Sequence, residues 1–264
     1  MAMAEWKTFL IPYEQAVEEL KVKLKSIRRE YRRRNEYSPI EFVTGRVKEI
    51  SSILEKADKF DIPFNRIGYE MEDIAGIRVM CQFVDDVKKV VEIIRNRKDM
   101  QIMYEKDYVT NVKKSGYRSY HIIIKYPVNM AEGEKDILAE FQIRTLAMNF
   151  WATIEHSLNY KYKHEIPDAI KDKLKSAADL AFKLDGQMLE IKDEIKDAQK
   201  LFEVKSSLVS DIMNNIITLS SMGKLTDSTR CQKQLNKVIE EGEVLDLVNL
   251  LKFTEKTIQM YNRQ

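Results

Sequence analysis

Segments that read as strands fall in the middle of this chain, and that confinement constrains the fold more than any other feature. Ile74–Phe83 is rich in β-branched residues and reads as a strand. Val87–Arg97 has helical spacing, and Met100–Val109 reads as a second strand. Lys113–Tyr117 forms a loop around Gly116, and Ser119–Tyr126 is a strand ended by Pro127. Asn129–Lys135 reads as a hairpin turn, Ile137–Arg144 as the next strand, and Leu146–Lys163 as a helix ended before Pro167. This order predicts an α/β (α+β) fold, a mixed sheet flanked by helices, and not a series of parallel β-α units.

The flanks are helical. Residues 13–34 carry one apolar stripe (Tyr13, Val17, Leu20, Leu24, Ile27, Tyr31) on an otherwise basic helix. A second helix is expected from Val47 to about Phe60, after the break at Ser38-Pro39. Further on, the apolar residues from Ile170 through Leu184 and Ile191 to Ala198 keep a heptad-like rhythm. Such a helix must bury its stripe against another helix or another subunit. Residues 206–264 predict three more helices, broken near Gly223 and Gly242. We divide the chain into a domain at 1–203 and an all-helical C-terminal extension at 204–264.

Composition excludes several function classes. The net charge of +2 predicts no nucleic-acid or membrane partner from overall balance. No apolar run approaches the ~20 residues of a membrane-spanning helix. The N-terminus lacks the basic and apolar regions of a secretory signal. Two cysteines, Cys81 and Cys231, make no disulfide framework, and the histidines His121, His156 and His164 are scattered without zinc spacing. A cytoplasmic location is expected.

No spacing among the eight glycines gives a dinucleotide fingerprint or a P-loop. No two aspartates are separated by a single residue either, so any phosphate site must use side-chain cations. Three segments put polar groups where a sheet normally places apolar ones. In Glu72-Asp73-Ile74-Ala75-Gly76-Ile77-Arg78 a carboxylate opens a strand and an arginine interrupts it. In Ser115-Gly116-Tyr117-Arg118-Ser119-Tyr120-His121 a flexible turn presents an aromatic ring before a histidine enters the next strand. In Glu140-Phe141-Gln142-Ile143-Arg144-Thr145, alternation sets Glu140, Gln142 and Arg144 on one face and Phe141 and Ile143 toward the core. The helix that follows opposes an apolar set (Leu146, Phe150, Ile154, Leu158) to a polar one (Asn149, Thr153, His156).

Each residue alone has an ordinary reading. Asp73 would cap a strand, Glu140 and Arg144 would form a surface ion pair, Tyr117 would be a loop aromatic and His121 structural. Arg46, Lys48, Lys56 and Lys59 would be a solvated helix face. Together, these segments resemble the synthetase domain of the RelA/SpoT family of alarmone synthetases, in particular its single-domain RelQ-type members. The resemblance runs from about residue 5 to residue 203. It is carried also by Ser38-Pro39-Ile40-Glu41-Phe42-Val43-Thr44-Gly45-Arg46-Val47-Lys48 and by Phe150-Trp151-Ala152-Thr153-Ile154-Glu155-His156.

The resemblance implies a nucleotidyltransferase-like fold and transfer of pyrophosphate from ATP to the 3′-hydroxyl of GDP or GTP, or of GMP. By resemblance Asp73 and Glu140 are the catalytic carboxylates and the magnesium ligands, Asp73 first, with Glu140 beside the acceptor hydroxyl. Arg46, Lys48, Lys56, Lys59, Arg78 and Lys106 would surround ATP. Lys59 and Lys106 stand where relatives often carry arginine, so they lack the planar fork. Lys113 and His121 would hold acceptor phosphates, Tyr117 would stack on guanine, and Gln142 and Asn149 would supply polar contacts. Lys25, Arg28, Glu41, Phe42 and Thr44 match the family's allosteric alarmone site. The partners so implied are ATP and GDP or GTP, an alarmone effector, a single-stranded RNA regulator and three further copies in a homotetramer. The chain contains no His-Asp dipeptide, so synthesis without hydrolysis is expected. The rival readings are a related enzyme that pyrophosphorylates the 3′ end of tRNA and a non-catalytic nucleotide- or RNA-binding regulator.

Overall fold

A computed structural model describes residues 3–161 and 167–262. They divide into two compact units, Met1–Leu189 and Glu190–Gln264, so the division falls fourteen residues before the end of the family resemblance. In the first unit, α1 (Met3–Arg33) precedes β1 (Phe42–Val47), α2 (Ile50–Lys59) and the short α3 (Ile67–Glu70). Then come β2 (Ala75–Cys81), α4 (Val84–Arg95), β3 (Gln101–Asp107), β4 (Tyr120–Met130), β5 (Gly133–Thr145) and α5 (Leu146–Lys161). The long α6 spans Asp168–Ser221.

The five strands form one sheet in the order β1-β2-β5-β4-β3. Only β2 and β5 run parallel, and the other pairs are antiparallel. The mixed sheet is the one the order of elements predicts. Its apolar face carries Val43, Ile77, Val79, Ile122, Ile124, Phe141 and Ile143, all buried in one core with Tyr13, Val17, Leu20 and Leu24 of α1 and Val87, Val90 and Ile94 of α4. Burial of about 1.5–3 kcal/mol per large apolar side chain drives this layer together. The opposite face is polar and holds the candidate site.

Several elements differ from expectation. Val47 closes β1 instead of opening the second helix, which starts at Ile50. Gly45 hides β1 in the sequence, and the structure needs glycine there because a Cβ would meet Val17 Cγ1 at 2.8 Å. The first helix runs through Pro12 and begins at Met3, since the turns before the proline bury Trp6 and Leu10 in the core. β4 continues through Pro127. Its pairing with β3 ends at Lys125, so the proline sits on an edge stretch where a missing N–H breaks no bond to β3. The hairpin turn shrinks to Ala131 and Glu132, because Met130 pairs with Gly133.

On α5 the apolar set faces outward: Leu146, Phe150 and Ile154 are 45%, 70% and 45% exposed. The buried side is Met148, Trp151 and Ala152, with Trp151 Nε1 donating to Leu174 O of α6 at 2.8 Å. Residues 162 and 163 of the expected helix lie outside the described residues. The stripe of α6 continues past Ala198 at Phe202, Val209, Ile212, Ile216 and Leu219, interrupted by Lys205, so the first of three expected helices is its continuation.

In the second unit, the end of α6 packs with α7 (Leu225–Glu241) and α8 (Val244–Asn262) around Ile212, Ile216, Leu219, Cys231, Leu235, Leu247 and Leu250. Both breaks fall near the glycines, and Gly223 takes a φ of +75° that favours glycine.

Candidate active site

Strand register assembles the site. On the polar face one row crosses all five strands: Thr44, Arg78, Gln142, His121 and Lys106 are consecutive cross-strand partners. The next row places Arg46 beside Gly76 and Gly76 beside Glu140. A side chain at Gly76 would meet nothing nearer than Arg46 O at 3.8 Å, so this glycine leaves open space between arginine and carboxylate. Alternation forces this arrangement, because the intervening residues are committed to the core.

Asp73 sits two residues before β2. Its Oδ2 accepts from Lys48 Nζ at 2.8 Å, and Lys56 Nζ lies 2.9 Å from Oδ1. It is therefore an ion-paired acid and not a strand cap. Burial opposes its charge, but the two ammoniums overcome that and hold the carboxyl below the usual aspartate range. Oδ1 is buried with no well-formed hydrogen bond, which leaves it acceptor capacity.

Glu140 is nearly enclosed. Oε1 is 2.7 Å from His121 Nδ1, and Oε2 accepts from Gln142 Nε2 at 2.6 Å. Burial raises its proton affinity, His121 and Gln142 lower it by more, and the net displacement is downward. The Asp73 charge also reaches Glu140 and raises its affinity, so the two acids share one electrostatic environment. The ordinary reading of Glu140 and Arg144 as a surface ion pair does not hold. Arg144 is 5% exposed and donates to Tyr117 Oη at 2.6 Å, Gln142 Oε1 at 2.7 Å and Ser119 Oγ at 3.2 Å.

The cations are concentrated here. Burial, then the charges of Arg144 and Arg46, pull Arg78 below the usual arginine range. Lys106 Nζ lies 3.7 Å from Glu72 Oε2, a carboxylate that the motif reading left without a role. Lys113 Nζ lies 4.2 Å from the Tyr108 ring and 4.8 Å from the Tyr117 ring, and Glu140 acts on its charge. Lys59 is exposed beside Phe60, and the structure gives it no ion pair with either carboxylate.

Tyr117 differs from the ring on a flexible turn. Its hydroxyl lies 2.8 Å from His121 Nε2 and accepts from Arg144. Gly116 is pinned against α6, where a Cβ would meet Ala178 Cβ at 2.7 Å, and Arg118 Nη2 bonds Asp179 at 3.1 Å. The loop is thus a docked platform. Both ring nitrogens of His121 are engaged within the protein, and the Gln142 amide is occupied by Glu140, Arg78 and Arg144. Asn149 Oδ1 is buried without a partner. The role of Arg144 was missed in the sequence, although alternation had put it on the face of Glu140.

A second cleft of ≈ 620 Å³ lies between α1 and β1, lined by Lys25, Arg28, Arg29, Arg32, Phe42 and Thr44 among others. Glu41 Oε1 pairs with Arg28 Nη2 at 3.1 Å, and its other oxygen accepts from Gln82 at 2.8 Å. The five residues expected at an effector site are brought together here.

Residues 45–165 match the model described as "Region found in RelA / SpoT proteins". The chain is 55% identical over 201 residues to the GTP pyrophosphokinase YjbM of Bacillus subtilis, covering 76% of this chain and 95% of that protein. A GTP pyrophosphokinase family protein from Streptococcus pneumoniae superposes with a TM-score of 0.71 at 58% identity, covering 75% of this chain and 98% of that one. Small alarmone synthetase 1 of Bacillus subtilis, bound to its product pppGpp, superposes with a TM-score of 0.70 at 56% identity, covering 72% and 98%. The chain belongs to the RelA/SpoT family, among its small alarmone synthetases.

Proposed function

We propose that this chain is a GTP pyrophosphokinase that transfers the β,γ-pyrophosphoryl group of ATP to the 3′-hydroxyl of GDP or GTP, giving AMP and (p)ppGpp. The observation that carries this reading is a cation-rich sheet face on which Glu140 lies within reach of the Asp73 charge, in a chain 55% identical to YjbM.

In this reading the 3′-oxygen attacks the β-phosphorus of ATP. The bond from that phosphorus to the α–β bridging oxygen breaks, and AMP leaves. The acceptor proton passes to Glu140, whose lowered pKa makes it a weak base, so its contribution is orientation with a late proton transfer. Arg46, Arg78, Lys48 and Lys56 neutralise the ATP phosphates, which compete with Asp73 for the two ammoniums. Tyr117 and Lys113 receive the acceptor, the ring face taking guanine once the Lys113 ammonium moves to a phosphate.

Magnesium fits the donor set. Two carboxylates, one with an underused oxygen, suit a hard cation that takes its remaining ligands from substrate phosphates and water. Bound there, it would supply charge neutralisation for the transferred group. Among the described residues no cluster of three or more His, Cys, Asp or Glu exists, so the protein alone would not cage a metal.

The α1–β1 cleft suits a guanosine polyphosphate effector, with cations for phosphates and the exposed Phe42 ring for a base. The outward apolar set on α5, beside Leu180, Leu184 and Met188, suits contact with further copies in a tetramer. The tRNA reading has less support than the free nucleotide because Tyr117 offers its ring to a single guanine and the chain is 55% identical to a GTP pyrophosphokinase. Among the described residues no helix is long and apolar enough to cross a membrane. Incubation with labelled ATP and either GDP or bulk tRNA tests the proposal: label should enter the nucleotide, and label confined to tRNA would refute it.

A further inference from the structure

Five side chains close a hydrogen-bonded ring around the proposed base. Arg144 Nη2 donates to Tyr117 Oη at 2.6 Å and to Gln142 Oε1 at 2.7 Å. From Tyr117 the path runs to His121 Nε2 at 2.8 Å, then from His121 Nδ1 to Glu140 Oε1 at 2.7 Å. From Gln142 it runs through Nε2 to Glu140 Oε2 at 2.6 Å. One guanidinium nitrogen therefore reaches both oxygens of one carboxylate, by two separate arms.

The ends of the ring fix its direction. A guanidinium has only donors and an ionised carboxylate only acceptors. With His121 as the neutral imidazole protonated on Nδ1, every bond between them points from Arg144 toward Glu140: Tyr117 donates to His121 Nε2, and Nδ1 donates to Glu140. Burial raises the Tyr117 pKa and keeps that hydroxyl proton in place. Both hydrogens of Nη2 are spent on the ring, while Nε is spent on Ser119. Bonds aligned in one sense polarise one another, and a buried member left without its partner carries a desolvation penalty.

We propose that Arg144 is a positioning residue for the transfer reaction: it aims Glu140 at the acceptor hydroxyl and locks that aim to the Tyr117 platform on which the acceptor sits. This rests on the function proposed above. Arg144 acts through Tyr117 and Gln142 and needs no contact with either substrate. Seating a base against Tyr117 and setting the rotamer of Glu140 become one event, because the same hydroxyl belongs to both.

The test is steady-state kinetics on the full chain with ATP and GDP, comparing wild type with Arg144→Lys, Tyr117→Phe and the double variant. Lysine keeps the charge but cannot hold three acceptors in the geometry of the fork. Phenylalanine keeps the ring and removes only the shared hydroxyl. Each single variant should lower kcat on the order of tenfold, the scale of one charge-assisted bond. Arg144→Lys should raise KM for GDP while KM for ATP stays within about twofold, and the double variant should lose no more than the worse single one. A purely structural role would shrink the active fraction and leave both KM values alone. Losses that multiply in the double variant, a KM for ATP that rises with that for GDP, or unchanged turnover in the single variants would overturn the proposal. Tyr117→Phe decides the matter if Arg144→Lys does not fold. Absence of turnover in wild type would remove the assigned reaction and this proposal with it. Turnover in wild type with indifferent variants would remove this proposal alone.

Discussion

Lys48 Nζ lies 2.8 Å from Asp73 Oδ2, joining the loop after β1 to the residue that leads into β2. With Lys56 on the other oxygen, Asp73 holds two ammoniums at the place proposed for the ATP phosphates. Replacing either lysine with glutamine should raise KM for ATP about tenfold or more, the value of a charge-assisted contact, and leave KM for GDP within about twofold. Initial-rate measurements with each substrate varied in turn would check this.

Glu140→Gln keeps the shape of the base and removes its ability to take a proton. We expect kcat to fall by about 10²–10⁴, with both KM values changed little. Single-turnover rates at saturating ATP and GDP would report it.

Tyr117→Ala removes the proposed stacking surface along with its hydroxyl. Base–aromatic stacking of about 1–3 kcal/mol corresponds to a rise in KM for GDP of roughly 5- to 150-fold, without a parallel change for ATP. Titration of GDP at fixed saturating ATP would measure it.

Much of this site was legible in the primary chain because strand alternation has a period of two. Once Phe141 and Ile143 are assigned to the core, Glu140, Gln142 and Arg144 must share the other face. Register was not legible. Nothing local says that Arg78 stands opposite Gln142 and His121 opposite Lys106, yet those pairings bring distant segments into one row. The occupancy of His121 was hidden for the same reason: a histidine free for phosphate looks identical in sequence to one bonded at both nitrogens. The buried face of α5 was not legible because it is a small patch built around Trp151 and Ala152, covered by α6. A stripe of larger apolar residues lay on the opposite side and set the apparent amphipathicity.

Asp185 gives a prediction about stability. It is 4% exposed, and Thr145 Oγ1 donates to its Oδ2 at 2.6 Å. Burial raises its pKa to about 6, against the lowering effects of Thr145 and Arg118. The folded pKa lies above the unfolded value, so the charged form opposes folding. That cost is full above about pH 6 and fades as pH falls toward about 4. Asp185→Asn should therefore stabilise the protein at pH 7.5, on the order of 2 kcal/mol, and much less near pH 4. Denaturant melts at the two pH values would show the difference.

The reaction itself is tested most directly by identifying what ATP and GDP become. Mass spectrometry, with phosphorus NMR to locate the new phosphates, should show AMP and ppGpp formed one for one, with pyrophosphate on the 3′-oxygen of the guanosine. Formation of ADP with a single transferred phosphate, or no product from GDP or GTP while tRNA gains the group, would contradict the account.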